Sequence, residues 1–348
     1  MRRGLSRQLS GFLLLLLLAH TGIIRGQEPA AATGQAVAHS SVPAEDWSLL
    51  SLTGSHLQQA RSVFGEKDDF PQFTRELIQV WWREGDPIDL YVIRPKGVAK
   101  PSVVLYLYGY PSETDRFRDN DYCVRLTAKG FAAVGFVSAL TGHRYHDRPM
   151  KEWFVSELQE ALGSSVHDVQ MILNFLSTRD DLDLSKVGMF GEGSGGTIAV
   201  LSAAADPRIK AIDLLDPWGD WPEWLRDSSI VPENERATYL KPEFLQKVAG
   251  LDPVKWLPQL TSQHIRIQQV MDDRATPKAA KERIDSAAPA SATVLRYDNT
   301  MRFYDAASGG KIFEWVKNQL RPLSPSQPAA IVQKSQSPPR PAEPGHDD

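Results

Sequence analysis

The sequence predicts an α/β fold of three layers, with a mainly parallel central sheet covered by helices on both faces. Three observations carry this expectation. Short, almost continuously apolar runs recur between residues 88 and 298. Between them lie stretches whose apolar residues fall at three- and four-residue steps, the period of a helix with one buried face. A glycine cluster, "FGEGSGG", stands where one apolar run gives way to such a helical stretch.

Each element follows in order. "IDLYVIRP" (Ile88–Pro95) and "PSVVLYLYGYP" (101–111) read as strands separated by a turn. "FRDNDYCVRLTAKG" reads as a helix ending at Gly130, and residues 131–139 as a buried strand. A long helix is predicted over about 152–177, on the spacing of Leu158, Leu162, Val169, Ile172, Leu173 and Leu176. "KVGMFG" is the next strand and "GGTIAVLSAAA" the next helix. "IKAIDLLDP", "HIRIQQVMDD" and "ATVLRYD" are later strands, and "GGKIFEWVKNQL" is a closing helix. Residues of about 217–250 break the alternation and read as a helical insertion in the position of a lid. Within it, Trp218, Trp221 and Trp224 either wall a pocket or pack the insertion onto the core.

The flanks differ in kind. Arg2, Arg3 and Arg7 precede the apolar run "GFLLLLLLA", too short to span a bilayer comfortably, and small residues follow at Gly22 and Gly26. Residues 1–26 therefore read as a signal peptide, with an uncleaved anchor as the alternative. The expected destination is the periplasm or the medium. The membrane then matters only during export. Residues 27–75 read as a leader and N-terminal extension, 76–320 as the folded domain, and 321–348 as a Pro-rich tail with little that could pack. Charge is near balance, with 39 basic and 43 acidic residues, so nucleic acid is not an implied partner. Cys123 is the only cysteine, so no internal disulfide is available and the core must supply the stability.

On "VVLYLYGYP", "SSVHDVQMILNFLSTRDDLDLSKVGMFGEGSGG" and "QQVMDDRATP", in that order, the chain resembles the α/β-hydrolase superfamily, in particular its dienelactone-hydrolase, acetyl-xylan-esterase and prolyl-oligopeptidase-like branches. The resemblance covers about residues 76–320 and implies the α/β-hydrolase fold. It also implies ester or peptide hydrolysis by a serine, a histidine and an acid, with no cofactor and no metal. The nucleophile and histidine positions depart from that pattern, and the acid position matches it.

At the elbow two registers are open. With Gly193 at the apex, Gly191 and Gly195 flank it and both steric demands of the tight turn are met. With Ser194 at the apex, Glu192 falls in a place with little room for it. The first register is preferred, and Ser194 then offers its hydroxyl near the open N–H groups at the helix start. The resemblance places the histidine in "YDNTMRFYD", near Met301, where none occurs. Of the eight histidines only His346 lies beyond the last strand, so a serine here lacks its base. Asp273 matches the acid, with Asp272 beside it, but has no histidine to orient. Tyr108 stands where the family has histidine before Gly109. The backbone N–H groups near Gly109 and Tyr110, with that of Ser194, are expected to form an anion-binding nest.

The loop "LTGHRYHDRP" (140–149) brings His143, Arg144, His146, Asp147 and Arg148 to the active edge of the sheet. It supplies a replacement base for Ser194 (His143 or His146), a pocket wall, or a polar loop of paired charges. A metal site there is disfavoured, because H-x-x-H-D is not the spacing of a helical zinc pair. Arg116 and Arg118 add positive charge suited to an anionic ligand. His167 and Asp168 read as structural, and His264 as a strand-edge residue. The preferred reading is an exported member of the superfamily without standard Ser-His-Asp catalysis. It keeps a pocket for a small-molecule or peptide ligand. The alternative is an active serine hydrolase working through Ser194.

Overall fold

A computed structural model describes residues 45–110, 114–140, 154–261 and 263–321. The signal segment, the leader up to residue 44, His143, His146 and the Pro-rich tail beyond residue 321 lie outside the described residues.

Among the described residues, nine strands form one sheet: β1 (Val63–Asp69), β2 (Phe73–Val80), β3 (Ile88–Pro95), β4 (Ser102–Leu107), β5 (Ala132–Phe136), β6 (Asp183–Glu192), β7 (Ile209–Leu215), β8 (His264–Val270) and β9 (Thr293–Tyr297). Their spatial order is β1-β2-β3-β5-β4-β6-β7-β8-β9. The pairs from β1 to β5 across β2 and β3 are antiparallel, and the six strands from β5 to β9 run parallel. The domain boundary expected at residue 76 is corrected: it would cut β2, and both β1 and β2 belong to the sheet. β1 escapes sequence reading because it is an outer strand, nearly all exposed, with no apolar alternation.

The parallel strands are linked through helices. α1 (Asn120–Thr127) joins β4 to β5, α2 (Leu158–Leu176) precedes β6, and α3 (Ser194–Ala205) joins β6 to β7. Four short helices, α4 (Trp221–Asp227), α5 (Arg236–Tyr239), α6 (Pro242–Val248) and α7 (Pro253–Trp256), fill the long β7–β8 connection. α8 (Lys278–Ala287) joins β8 to β9, and α9 (Thr300–Ala307) and α10 (Glu314–Leu320) follow β9. Alternation along β4 divides the core. Val103, Leu105 and Leu107 join the apolar cluster with α2 and α3, whereas Val104 and Tyr106 join the one with α1 and α10.

In the β7–β8 connection, Trp218, Trp221 and Trp224 are all buried, and Trp218 stacks within 4.8 Å of Trp224. Trp224 packs the insertion onto the core, while Trp218 and Trp221 do so and also border hollows at the surface.

The segment after residue 44 is bound to α2. The Trp47 carbonyl lies where a Cβ on Gly163 would stand, 2.3 Å away, so only glycine admits it. Gln170 donates to the Leu50 carbonyl at 2.7 Å. Glu45 bonds Arg83 and His167, and Arg83 and Trp82 reach Asp168. Burial alone would raise the Glu45 carboxyl, but Arg83 and His167 hold it down at about 2. His167 and Asp168 are thus structural. His264 opens β8, at the end of that strand remote from its carboxyl edge.

β4 and β6 are neighbours, yet the chain leaves β4 towards β5 on one side and returns to β6 on the other. Such a reversal opens a crevice at the carboxyl ends of the two strands.

Candidate functional site

Gly193 forms the turn between β6 and α3 with φ 55° and ψ −117°, a backbone state that side chains with a Cβ rarely adopt. Its N–H donates to the Leu215 carbonyl at 2.9 Å. Its carbonyl accepts from Gly196 at 3.0 Å and from the Trp218 backbone at 3.3 Å. A Cβ on Gly191 would stand 2.5 Å from the Gly195 oxygen, and one on Gly195 only 2.1 Å from the Leu107 oxygen. Both flanks are therefore bound to be glycine, because helix and strand touch there. A Cβ on Gly193 would lie 3.2 Å from Trp218 Nε1, so the indole covers the apex.

Ser194 is the first residue of α3 and is wholly buried. Its Oγ accepts a hydrogen bond from the Tyr110 N–H at 3.1 Å. Two expectations change here. The hydroxyl serves the N–H of a residue 84 positions away, not its own helix start. The Tyr110 N–H, expected to be an open donor of the anion nest, is already engaged.

Above this turn lies a cavity of about 700 Å³. Of the residues singled out from the sequence, Tyr108, Gly109, Tyr110, Arg116, Gly193, Trp218 and Asp273 line it, and Arg118 does not. Ser194 does not line it, and neither does Trp221, which borders a separate hollow with Asp220 and Arg283. The cavity wall nearest α9 comes from Thr300, Phe303, Tyr304 and Ala307. Residues expected to form the histidine loop are instead this helix. Asn299 caps it by accepting from the Arg302 N–H at 3.0 Å, and Asp272 accepts from the Thr300 N–H at 2.9 Å. Met301 itself is 67% exposed and is not among the cavity-lining residues, whereas its neighbours Thr300, Phe303 and Tyr304 are. None of the described histidines lines the cavity.

Asp273 holds the loop after β8 by accepting from the Ala275 and Thr276 N–H groups, at 3.1 and 3.0 Å. Its other neighbour is Lys281 of α8, a fully buried lysine 3.6 Å from Asp273 and 3.1 Å from Asp216. Asp216 is one of two cavity carboxylates that sequence reading missed as site residues. Its backbone is left-handed (φ 43°), and its carboxylate accepts from the Val270 N–H at 2.9 Å. Burial pushes its carboxyl up to about 6 against the pull of Lys281 and the Val270 N–H. The second is Glu192, directly before the apex, whose carboxylate lies 3.4 Å from Arg116. Burial raises Glu192 too, with Arg116 opposing and Asp273 adding to the rise. Their positions held the signal: Glu192 ends one apolar strand and Asp216 follows another, at the functional edge. Arg116 in turn lies over the Tyr108 ring, 4.6 Å from its centroid. Among the described residues, no group of three or more histidine, cysteine or acidic side chains is placed to hold a metal.

The dienelactone hydrolase family model matches residues 88–215. No curated protein sequence matches the chain. Among solved structures, the chain is similar to acetyl xylan esterase 1 from Thermoanaerobacterium sp. JW/SL YS485, at 14% identity and a TM-score of 0.56 over 73% of this chain and 87% of that one. It is also similar to an acetyl xylan esterase from Paenibacillus sp. R4, at 16% identity and a TM-score of 0.54 over 75% and 89%. A cold-adapted esterase from an Arctic intertidal metagenomic library aligns at 14% identity and a TM-score of 0.52 over 74% and 100%. At such identities the structural likeness establishes the fold and leaves the chemistry to the residues. The sheet order, the strand–glycine–helix elbow and the family-model match over residues 88–215 agree, and the chain has the α/β-hydrolase fold.

Proposed function

We propose that this protein binds a ligand in the cavity above Gly193 and does not perform Ser-His-Asp hydrolysis. The observation that carries this reading is the elbow itself. Its apex is a glycine in a left-handed state, and the neighbouring Ser194 is buried with its hydroxyl held by the Tyr110 N–H. A nucleophile must present its oxygen to the substrate with a base in hydrogen-bond reach. Ser194 Oγ faces the Tyr110 backbone instead of the cavity. The cavity has the size, the apolar lining and the few charged groups of a small-molecule or short-peptide site.

A fluorophosphonate probe tests this directly. The protein is expected to remain unlabelled, with wild type and Ser194→Ala indistinguishable. Labelling that disappears in Ser194→Ala would overturn the reading and restore serine hydrolysis.

Export belongs to the same proposal. It is supported by the basic and apolar runs of residues 1–26. N-terminal sequencing of the protein from the medium or periplasm is expected to begin near residue 27. A chain retaining Met1 in the membrane fraction would refute cleavage.

A further inference from the structure

The charges around the cavity are sorted along the sheet. Arg116 follows β4 and Arg125 lies on α1, directly after it. Glu192 ends β6 and Gly193 follows it, Asp216 follows β7, and Asp273 follows β8. All of these line one cavity, and the strand order is β4-β6-β7-β8. With neighbouring strands ~4.8 Å apart, the guanidinium end and the far carboxylate end are separated by about three strand spacings, or ~14 Å.

Local pairing leaves one charge over at each end. Glu192 faces Arg116 at 3.4 Å, but Arg125 forms no ion pair among the described residues and rests over the Tyr122 ring at 5.5 Å. At the other end a single buried lysine, Lys281, is shared between two carboxylates, Asp216 and Asp273. One end is thus net positive and the other net negative. Between them the walls are aromatic: Tyr108, Phe190, Trp218 and Phe313.

We infer that the ligand is a linear zwitterion, a short peptide with both ends free. Its carboxylate lies at Arg116 and Arg125, its ammonium group at Asp216 and Asp273, and an apolar side chain packs against the aromatic wall over Gly193. An extended chain rises ~3.3–3.6 Å per residue, so three or four residues span the two ends. Charge-assisted hydrogen bonds at both ends would fix length and direction together. This inference rests on the reading that the cavity binds a ligand without serine acylation.

The test is titration calorimetry of the full mature chain with Ala-Phe-Ala, its N-acetyl form and its C-terminal amide. The free peptide is expected to bind, and each cap to weaken binding by about tenfold or more. In Arg125→Gln the C-terminal amide should bind as the free peptide does, while the acetyl penalty remains. Asp216→Asn should show the converse. Arg125 is exposed, so its substitution does not endanger the fold. Equal affinity for all three peptides, or no binding of any at millimolar concentration, overturns the zwitterion assignment. Equal affinity leaves the binding-pocket reading intact, whereas probe labelling of Ser194 would sink that reading whatever the capped peptides do.

Discussion

The β6–α3 turn and the β8–α9 region stand at the same edge of one sheet, and both are places where hydrolase chemistry makes demands. The turn keeps its backbone. Gly191 and Gly195 remain because strand and helix touch through them, and Gly193 keeps the left-handed state. The β8–α9 region keeps little of what the resemblance implied. Where a loop with histidine was expected, a helix capped by Asn299 and Asp272 has formed. The acid-position carboxylate is occupied by loop N–H groups and faced by Lys281. The difference is physical. Elbow geometry is part of packing the core, so losing it unfolds the protein. The histidine loop lies outside the sheet, where other local structures are equally stable.

Breaking the turn should have the largest effect. Gly195→Val places a Cβ 2.1 Å from the Leu107 oxygen and 2.6 Å from its carbonyl carbon, both backbone atoms within the core. It should cost more than about 4 kcal/mol and abolish soluble expression or shift the urea midpoint accordingly. Gly97→Ala is the control. That glycine has φ 81° in open space, so its substitution should cost only about 1 kcal/mol. A Gly195→Val protein as stable as Gly97→Ala would refute the claim that the elbow is structural.

The second effect lies in the other region. Lys281→Met leaves Asp216 and Asp273 without the ammonium group between them at the cavity wall. It should destabilise by about 3–5 kcal/mol in denaturant titration, with partial rescue by Asp216→Asn. Absence of rescue would show that Lys281 matters through its packing and its hydrogen bonds to the Val270 and Asp273 carbonyls instead of through Asp216.

These two regions were unequally legible. The elbow was readable because close packing forces glycine at fixed spacing, and the spacing G-x-G-x-G appears in the sequence whatever the apex residue is. The bounds of β3 were readable because an apolar run between turns has few other uses. The carboxylate–lysine network was not. Asp216 and Lys281 are 65 positions apart, and only the pairing of β7 with β8 brings them together. The same is true of Ser194 and the Tyr110 N–H. α9 did carry a local signal, Asn299 as a helix cap, but the resemblance pointed to a loop there and outweighed it.

Gly193→Ser asks whether the apex alone separates this chain from an esterase. A non-glycine residue with positive φ costs about 1–3 kcal/mol, and its Cβ would meet Trp218 Nε1 at 3.2 Å. The variant should fold with reduced stability and show no turnover of p-nitrophenyl acetate above the uncatalysed rate, because no described histidine reaches the cavity. Turnover would show that a base is within reach after all.

The pH dependence sharpens the comparison further. Asp216 has a folded value of about 6, above the ordinary carboxylate range. A raised carboxyl contributes stability that is full below its unfolded pKa of ~4 and is lost as pH rises through about 6. Melting temperature should therefore carry a downward term between those values. Asp216→Asn should flatten it by the equivalent of up to about 3 kcal/mol, the opposing pull of Lys281 being already contained in the folded value of about 6. Gly193→Ser should leave this pH term unchanged. A pH profile identical in wild type and Asp216→Asn would remove Asp216 from the titrating set.

The smallest effect is the most specific to the elbow. Ser194→Ala removes the hydrogen bond from the Tyr110 N–H, whose acceptor is wholly buried. The cost should be about 1 kcal/mol, the ordinary worth of such a bond, and somewhat more if the N–H is left unsatisfied. Amide exchange at Tyr110 is the finer readout, because that proton is protected only while the serine oxygen accepts it. Faster exchange at Tyr110, with unchanged exchange along β6, would place Ser194 as the peg joining the β4 end to α3. Unchanged protection at Tyr110 would mean that another acceptor holds it. Ser194 would then have no structural role, and the case for it as a displaced nucleophile would reopen.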